Sequence, residues 1–256
     1  MVNNLLVTIA ICTYNNARYI VETLESIKDQ TYDSLELIIS DDASSDATLQ
    51  VVTVWTQKPG NSNRFARIEV LKADQNTGVS ANANRALRAA RGSWIKYIAG
   101  DDTLKPGCIS DNMQQVSSDP QTKVLFSRVE IYRESFTDKN LIDITRNDSD
   151  DRYSIMATGR DADEQYKMLL VSDRIHYAPS AFLHRETLLS IGGFNEEYKL
   201  LEDYPLWLNL TKHGHKLCFM DKITVQYRRH GAAINNNGRS CIVNPNYFRS
   251  EPFRRK

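Results

Sequence analysis

Apolar and polar positions alternate in blocks along the first 106 residues. Short, nearly continuous apolar runs are typical of strands buried on both faces of a parallel sheet, and they cover residues 5–12, 35–40, 68–71 and 94–98. The segments between these runs repeat apolar residues every three or four positions, which predicts helices. Strand and helix therefore alternate four times, and this order predicts a parallel, doubly wound sheet of the α/β class.

The helices of this half are predicted from their apolar stripes and their end signals. The stripes consist of Ile20, Leu24 and Ile27 in the first helix and of Leu49, Val52 and Trp55 in the second. Asn16 is the expected N-cap of the first helix. Residues 59–63 are predicted to form a loop, and an Ala-rich helix is expected over residues 80–91, ending at Gly92. Pro106 is the expected first residue of a further helix.

The second half of the chain is less regular. Further strands are predicted over residues 124–132, 216–220 and 224–227. Residues 137–160 are polar and charge-rich, and they indicate an excursion or a mobile loop. A helix is expected over residues 161–171 with Met168, Leu169 and Val171 facing inward. A last amphipathic helix begins at Glu202-Asp203.

Polar side chains follow three of the predicted strands at the point where each strand ends. They belong to Thr13-Tyr14-Asn15-Asn16, to Asp41-Asp42-Ala43-Ser44-Ser45-Asp46 and to Asp101-Asp102. Because ligands bind outside the carboxyl ends of the strands in such sheets, we expect these groups to line one rim.

Asp101 and Asp102 are the candidates for a metal site. Two adjacent carboxylates repel each other and stay ionised only with a cation or many hydrogen-bond donors nearby. A divalent ion that also holds a diphosphate is the expected partner, because oxygen ligands suit Mg²⁺ or Mn²⁺. The alternative interpretation is a solvated Asp-Asp turn that caps the next helix.

Composition narrows the class of protein further. The chain has 256 residues, enough for one large α/β domain or two small ones, and its formal net charge is zero. The chain therefore carries no excess positive charge that would favour nucleic acid as a partner. The cysteines are scattered without the spacing of a zinc site, and reduced thiols and a cytoplasmic location are expected; they are Cys12, Cys108, Cys218 and Cys241.

The two ends of the chain bear on membrane contact. The first residues carry no basic region, and the apolar run at residues 5–12 is too short to cross a bilayer, so secretion is not expected. Residues 232–256 end in a mixture of basic and aromatic side chains: Tyr247, Phe248, Arg249, Phe253, Arg254, Arg255 and Lys256. Such a tail predicts peripheral contact with an anionic membrane surface. A solvated, frayed terminus is the alternative.

An ordered set of motifs over residues 5–231 resembles glycosyltransferase family 2. The motifs are Thr13-Tyr14-Asn15, Asp41-Asp42-Ala43-Ser44-Ser45-Asp46, Asn76-Thr77-Gly78, Asp101-Asp102, Gly192-Gly193-Phe194 and Glu202-Asp203-Tyr204. Family members have a GT-A fold and transfer a sugar from a nucleotide diphosphate with inversion. The run Asp203-Tyr204-Pro205-Leu206-Trp207-Leu208 is most similar to bacterial enzymes that build O-antigen or capsule repeats.

The resemblance implies a GT-A, Rossmann-like, mostly parallel central sheet flanked by helices, with a smaller acceptor-side subregion. No internal repeat and no convincing linker interrupts the chain. We therefore predict one domain over residues 1–231, with a nucleotide-binding half at 1–106, an acceptor half at 107–231 and the tail at 232–256.

The resemblance also implies roles for the nucleotide-binding residues. Tyr14, beside Thr13, is expected to stack on the base, and Asp41 to accept a hydrogen bond from N3–H of uracil. A carboxylate acceptor there suits uridine or thymidine better than adenine, which has no such ring donor. Asn76 lies on the same nucleotide side, and Asp101 is expected to contact ribose or the donor sugar.

Metal binding and catalysis are implied for a second group of residues. Asp102 matches the family's metal ligand, and Asp203 matches its catalytic base, with Glu202 beside it. Acids at a helix N-terminus also have a plain structural role, because they complement the helix dipole. His230 is either a further metal ligand or diphosphate contact, favouring Mn²⁺ over Mg²⁺, or an ordinary surface histidine.

Some positions depart from the family pattern or allow two interpretations. Ala99 stands where the family often has the first Asp of its metal motif, and Ala83 stands where an arginine is common. Arg228 and Arg229 are either phosphate clamps or solvated charges at a strand end.

The implied activity is inverting, metal-dependent transfer of a hexose from a UDP-sugar, with UDP-glucose or UDP-galactose expected. The implied acceptor is a saccharide linked to polyprenyl diphosphate at the cytoplasmic membrane face. A nucleotide-sugar-binding subunit without turnover is the alternative. An oxidoreductase on a Rossmann-like sheet is disfavoured, because no GxGxxG follows the first strand.

Overall fold

The computed structural model describes residues 5–146, 149 and 151–231. Its strands are β1 (Val7–Thr13), β2 (Leu35–Asp41), β3 (Arg67–Lys72), β4 (Trp94–Ala99), β5 (Thr103–Leu104), β6 (Val124–Arg133), β7 (Leu141–Ile144), β8 (Phe182–His184) and β9 (Leu217–Arg229). Its helices are α1 (Ile20–Lys28), α2 (Thr48–Thr56), α3 (Pro59–Ser62), α4 (Val79–Ala89), α5 (Cys108–Ser118), α6 (Ala162–Val171), α7 (Arg185–Ser190) and α8 (Asp203–Lys212). Short 3₁₀ turns lie at Asp138–Asn140 and Ala178–Ser180.

The strands within these residues form one nine-stranded sheet. Its order is β3-β2-β1-β4-β8-β6-β9-β5, and β7 pairs with the edge of β6. The pairs β3-β2, β2-β1 and β1-β4 are parallel, as the sequence predicts. Beyond β4 the sheet is mixed, because β8 is antiparallel to both β4 and β6, whereas β6 and β9 are parallel. The prediction of an α/β sheet flanked by helices is confirmed.

Burial explains why the central strands form. All seven residues of β2 are buried, and so are six of the seven residues of β1. Helix α1 covers this sheet with Ile20, Leu24 and Ile27, which are all fully buried, as its apolar spacing predicts. Glu36 is fully buried within β2, and it accepts hydrogen bonds from the Thr8 hydroxyl at 2.6 Å and from Arg67 at 2.6 Å. These partners offset the cost of burying its charge.

Several local predictions in the first half are wrong. Asn16 does not cap α1, because Tyr19 occupies the cap position. The Asn16 side chain instead accepts a hydrogen bond from the Thr13 hydroxyl at 2.8 Å. Residues 59–63 contain the short helix α3, which begins at a proline, a favoured first helical residue. Pro106 precedes α5 by two positions, and Gly107 occupies the cap position of that helix.

Two predictions in the second half are also wrong. Val171 is 77% exposed, whereas Leu169 is fully buried. Residues two positions apart on a helix, such as Leu169 and Val171, lie about 200° apart around its axis, so both cannot face the core. The two strands predicted over residues 216–220 and 224–227 are one strand, β9, which begins at Leu217 and shifts register against β6 instead of breaking.

The sheet is continuous across residue 106, since β6, β8 and β9 join the strands of the first half. The division into a nucleotide-binding half and an acceptor half stays a prediction. Residues 232–256, the predicted tail, lie outside the described residues. Within the described part of the chain, no helix combines the length and apolarity that spanning a bilayer requires.

Candidate active site

The carboxyl ends of β1, β2 and β4 lie level with one another. In the sheet register Thr13 pairs with Asp41, and Cys12 pairs with Ala99. The turn that follows β4 packs directly against the turn that follows β1: a Cβ added to Gly100 would lie 2.6 Å from the Thr13 hydroxyl oxygen. Glycine is therefore required for this close approach. The structure therefore brings Thr13, Asp41 and the Asp101-Asp102 turn to one rim.

Tyr14 and Asp41 differ in their exposure to solvent at this rim. Tyr14 is 45% exposed, so its ring is available to a planar ligand. Asp41 is fully buried, and its two oxygens accept hydrogen bonds from the Ser44 N–H at 2.9 Å and the Ser44 hydroxyl at 2.5 Å. Each carboxylate oxygen has lone-pair capacity for a second hydrogen bond, which a ligand would reach only after a local movement, because Asp41 has no exposed surface. Contact with a base stays a prediction for both residues, and so does nucleotide binding by Thr13.

Asp42 organises the neighbouring loop, a role that the sequence analysis did not assign. Its carboxylate accepts hydrogen bonds from the Thr77 N–H at 2.9 Å, the Thr77 hydroxyl at 2.6 Å and the Gly78 N–H at 2.8 Å. It also pairs with Arg85 at 3.3 Å. The end of β2 is thereby fixed to the loop that carries exposed Asn76. The sequence signal for this role is the second acid directly after Asp41.

Asp102 is almost completely buried at the end of β4. One of its oxygens, Oδ1, accepts a hydrogen bond from the Arg228 N–H at 2.8 Å. Burial, followed by the negative charge of Asp101, raises the pKa of the Asp102 carboxyl well above its usual range. The direct consequence is that ionised Asp102 requires additional positive charge nearby.

His230, the residue directly after β9, joins this acidic turn. Its ring atom Nε2 lies 2.8 Å from Asp101 Oδ2, and the residue is only 5% exposed. The interpretation of His230 as an ordinary surface histidine is therefore wrong. Its ring also lies 4.6 Å from the ring of Tyr19, between centroids.

The donor set fits a divalent cation. Within residues 5–146, 149 and 151–231, no three His, Cys, Asp or Glu side chains are already grouped as a metal site. However, Asp101, Asp102 and His230 supply carboxylate oxygens and an imidazole nitrogen at one turn, a combination suited to Mn²⁺ or Mg²⁺. A cation would also offset the burial and the negative charge of Asp101, which together raise the pKa of Asp102.

Lys96 is a buried cation near this turn that the sequence analysis missed. Its ammonium group donates hydrogen bonds to the Pro179 carbonyl at 2.6 Å and the Ala181 carbonyl at 3.4 Å. Burial lowers the pKa of Lys96 to about 8, and the charge of Asp102 opposes that shift. A lysine inside an apolar strand is the sequence signal that could have identified it.

Glu202 and Asp203 lie at the start of α8, as predicted. Burial, followed by the charge of Asp203, raises the pKa of Glu202 to about 8. Burial, followed by the charge of Asp173, raises the pKa of Asp203. The Asp203 carboxylate accepts a hydrogen bond from the Tyr204 N–H at 2.7 Å.

The loop before Glu202 is fixed to the nucleotide side of the rim. The Val79 N–H donates to the Lys199 carbonyl at 2.9 Å, and the Ser80 hydroxyl donates to the Tyr198 carbonyl at 2.6 Å. After burial, the charge of Glu202 is the next cause that raises the pKa of Cys12, at the end of β1, to about 12. The loop that leads to Glu202 is therefore hydrogen-bonded to the start of α4, beside the rim.

A groove of about 590 Å³ lies on a different side of α8. It is lined by Pro205, Leu208, Asn209 and Lys212, among others. These positions share one helix face, and Asp203 projects from the opposite face. The groove is therefore separate from the acidic rim.

The sequence and the fold are both similar to those of known glycosyltransferases. The family model described as "Glycosyl transferase family 2" matches residues 8–178. The Escherichia coli protein named "UDP-Glc:alpha-D-GlcNAc-diphosphoundecaprenol beta-1,3-glucosyltransferase WfaP" is 28% identical over 232 residues, covering 91% of this chain and 80% of that protein. Chondroitin synthase from Escherichia coli is 26% identical over 247 residues, covering 91% of this chain and 32% of that protein.

Solved structures show the same fold. S. aureus TarS 1–349 in complex with UDP has a TM-score of 0.65 at 20% identity, covering 88% of this chain and 61% of that chain. The mannosyltransferase PcManGT from Pyrobaculum calidifontis, in complex with GDP-Man and Mn²⁺, has a TM-score of 0.61 at 18% identity, covering 91% and 59%. The chain thus spans about three fifths of the length of these solved chains. The family model covers well over half of the sequence, and the chain belongs to glycosyltransferase family 2 with a GT-A fold.

Proposed function

We propose that this chain is an inverting, metal-dependent hexosyltransferase that uses a UDP-sugar and a lipid-linked saccharide acceptor in surface polysaccharide synthesis, such as O-antigen or capsule. One observation carries the proposal: the Asp101-Asp102 turn packs against the β1 turn, and the loop that leads to Glu202-Asp203 is hydrogen-bonded to the start of α4 on the same side of the sheet. Such an arrangement suits a reaction in which one acidic group serves the leaving diphosphate and another serves the attacking alcohol.

The choice of donor rests on Tyr14 and Asp41. Exposed Tyr14 offers a stacking surface for a base, and the Asp41 carboxylate is an acceptor for uracil N3–H. The printed name of WfaP includes UDP-Glc, and TarS structures hold UDP and UDP-GlcNAc. These relatives support a UDP donor, and we propose UDP-glucose or UDP-galactose.

Asp102 would hold the cation, with Asp101 and His230 beside it. When bound, the cation neutralises charge that develops on the departing diphosphate. The imidazole favours Mn²⁺ over Mg²⁺, and the Pyrobaculum relative is described with Mn²⁺. Arg228 of β9 holds the Asp101 backbone and His230, directly after β9, holds its side chain, so Asp101 keeps the acidic turn in place.

Asp203 would act as the base that takes the proton from the acceptor hydroxyl. The neighbouring Glu202 has a pKa of about 8, so it is mostly protonated at pH 7 and leaves the negative charge of the pair on Asp203. The raised pKa of Asp203 makes it a stronger base than an exposed aspartate. Attack from the face opposite the diphosphate inverts the anomeric carbon, so an α-linked donor would give a β-linked product.

The acceptor proposal rests on the names of two relatives and on the basic and aromatic composition of residues 232–256. The name of WfaP includes a saccharide joined to diphosphoundecaprenol, and another relative is named succinoglycan biosynthesis protein ExoO, from Rhizobium meliloti. We propose a polyprenyl-diphosphate-linked saccharide at the cytoplasmic membrane face, with the basic-aromatic tail at residues 232–256 as a peripheral contact.

The test is a panel of UDP-sugars incubated with the full chain, with UDP release measured in Mn²⁺ and in EDTA. We expect one preferred donor and loss of turnover under chelation. The Asp102→Asn and Asp203→Asn variants should lose turnover, whereas Asp163→Asn, an exposed carboxylate on α6, should retain it. Release that is unaffected by EDTA contradicts the metal proposal. Binding of UDP-sugars without turnover of any donor would favour the nucleotide-sugar-binding subunit instead.

A further inference from the structure

Arg228, near the end of β9, is buried between two aromatic rings. Its guanidinium carbon lies 4.6 Å from the ring centroid of Tyr19 and 4.1 Å from that of Phe136. The residue is 3% exposed. The interpretation of Arg228 as a solvated charge is therefore wrong. Its interpretation as a phosphate clamp depends on the edge of the guanidinium, because phosphate is bound through the N–H groups there.

The edge of the same guanidinium is hydrogen-bonded to three chain segments, and the backbone of Arg228 adds a further bond to the acidic turn. Nε donates to the Asp101 carbonyl at 2.7 Å. One terminal nitrogen donates to the Glu134 carbonyl, and the other pairs with the Glu22 carboxylate on α1. The Arg228 backbone N–H donates to Asp102 Oδ1 at 2.8 Å. One residue therefore holds both members of the Asp101-Asp102 turn.

His230, the residue directly after β9, acts on the same turn. Its ring contacts the same Tyr19 ring that covers Arg228, so the two side chains lie on one side of the chain. His230 reaches the Asp101 carboxylate, whereas Arg228 reaches the Asp101 backbone. Intervening Arg229 is exposed, as strand alternation requires.

We propose that Arg228 is a positioning residue for the cation site: it fixes the shape of the Asp101-Asp102 turn and does not contact the diphosphate. The inference rests on the proposed function, in which Asp102 holds the cation. Arginine is required because its planar fork can stack between two rings and donate along its edge at the same time. Lysine keeps the charge but offers neither feature.

The test separates positioning from phosphate contact by measuring UDP affinity calorimetrically in Mn²⁺ and in EDTA. Groups that orient metal ligands typically cost about tenfold or more in metal affinity when they are replaced. We therefore expect Arg228→Lys to lose about tenfold of the Mn²⁺-dependent gain in UDP affinity, with its affinity in EDTA unchanged. A fall in UDP affinity in EDTA would mean that Arg228 contacts phosphate, which overturns the inference.

Arg64 provides a matched control. It is also a structural arginine, and its guanidinium donates to the backbone carbonyls of Lys28, Gln30, Tyr32 and Asp33, away from the acidic turn. Arg64→Lys should lower the thermal unfolding temperature without changing the Mn²⁺-dependent gain. Loss of that gain in Arg64→Lys as well would attribute the effect to general destabilisation and overturn the inference.

A milder variant guards against loss of folding in Arg228→Lys. Phe136→Leu removes one of the two covering rings. The free energy of one such cation–π contact is equivalent to about a threefold change in affinity. We expect a loss of about that size in the Mn²⁺-dependent gain, and an unchanged gain contradicts the inference alone. A wild-type chain that binds UDP equally in Mn²⁺ and EDTA contradicts the proposed function and the cation site together.

Discussion

Replacing Glu202 with Gln removes a carboxyl group whose pKa is raised from 4.5 to about 8 by burial and then by the charge of Asp203. The folded chain therefore holds this proton more tightly than the unfolded chain. As the pH rises from 4.5 towards 8, the unfolded chain releases the proton first, so the free energy of unfolding falls. Below pH 4.5 both states are protonated, and above about 8 both are ionised, so the loss is confined to this window.

The size of the loss follows from the same pKa. Each unit of pKa difference between the folded and unfolded chains corresponds to about 1.4 kcal/mol, so the full difference gives an upper bound of about 5 kcal/mol. Glu202 is only partly buried and shares its titration with Asp203. We therefore expect about half of that bound, about 2 to 3 kcal/mol, to disappear with the Glu202 carboxyl.

The assay is urea unfolding of the wild-type chain and Glu202→Gln at pH 5, 7 and 9. Between pH 5 and 9 the wild-type free energy of unfolding should fall by about 2 to 3 kcal/mol more than that of Glu202→Gln. Glu197→Gln, in the exposed loop before α8, controls for the loss of one carboxylate. Parallel pH profiles for the wild type and Glu202→Gln would refute the reasoning.

The remaining predictions concern catalysis and the loops that shape the rim. Asp203→Asn should abolish sugar transfer while UDP affinity stays within about twofold, because a base acts on the acceptor and not on the nucleotide; parallel loss of UDP binding would count against that role. Asp42→Asn should lower the free energy of unfolding by about 2 kcal/mol, since it loses charge-assisted hydrogen bonds, and thermal unfolding measures this. Gly193→Ala should destabilise the chain more than Gly192→Ala: both glycines have positive φ, but only the Cβ at 193 would meet another atom, Asn84 Oδ1, at 2.5 Å. Equal unfolding temperatures for the two glycine variants would contradict the packing of the loop against α4.

The order of elements could be predicted where burial dictates it. The strands β1 and β2 can be recognised from their apolar runs because both of their faces are covered. Parallel pairing then places Thr13 beside Asp41. The ends of helices were harder to predict, because several nearby groups compete for the same hydrogen bonds there. Asn16 was expected to cap α1, but its side chain bonds the Thr13 hydroxyl instead.

The interior of the site could not be predicted because its contacts join distant parts of the chain. Arg228 and Asp101 are separated by 127 residues, and nothing in the local pattern of β9 indicates their hydrogen bond. The same holds for the burial of His230, which depends on Tyr19 and on the turn after β4. Lys96 likewise donates to the carbonyls of Pro179 and Ala181, which lie 83 and 85 residues further along the chain.

The most direct test of the account is a crystal structure of the chain bound to Mn²⁺ and an unreacted UDP-sugar. The account predicts that an Asp102 oxygen coordinates the ion and that the Asp203 carboxylate faces the anomeric carbon from the side opposite the diphosphate. Uracil is expected against Tyr14. An ion held away from Asp102, or an Asp203 side chain directed into a different cleft from the sugar, would contradict it.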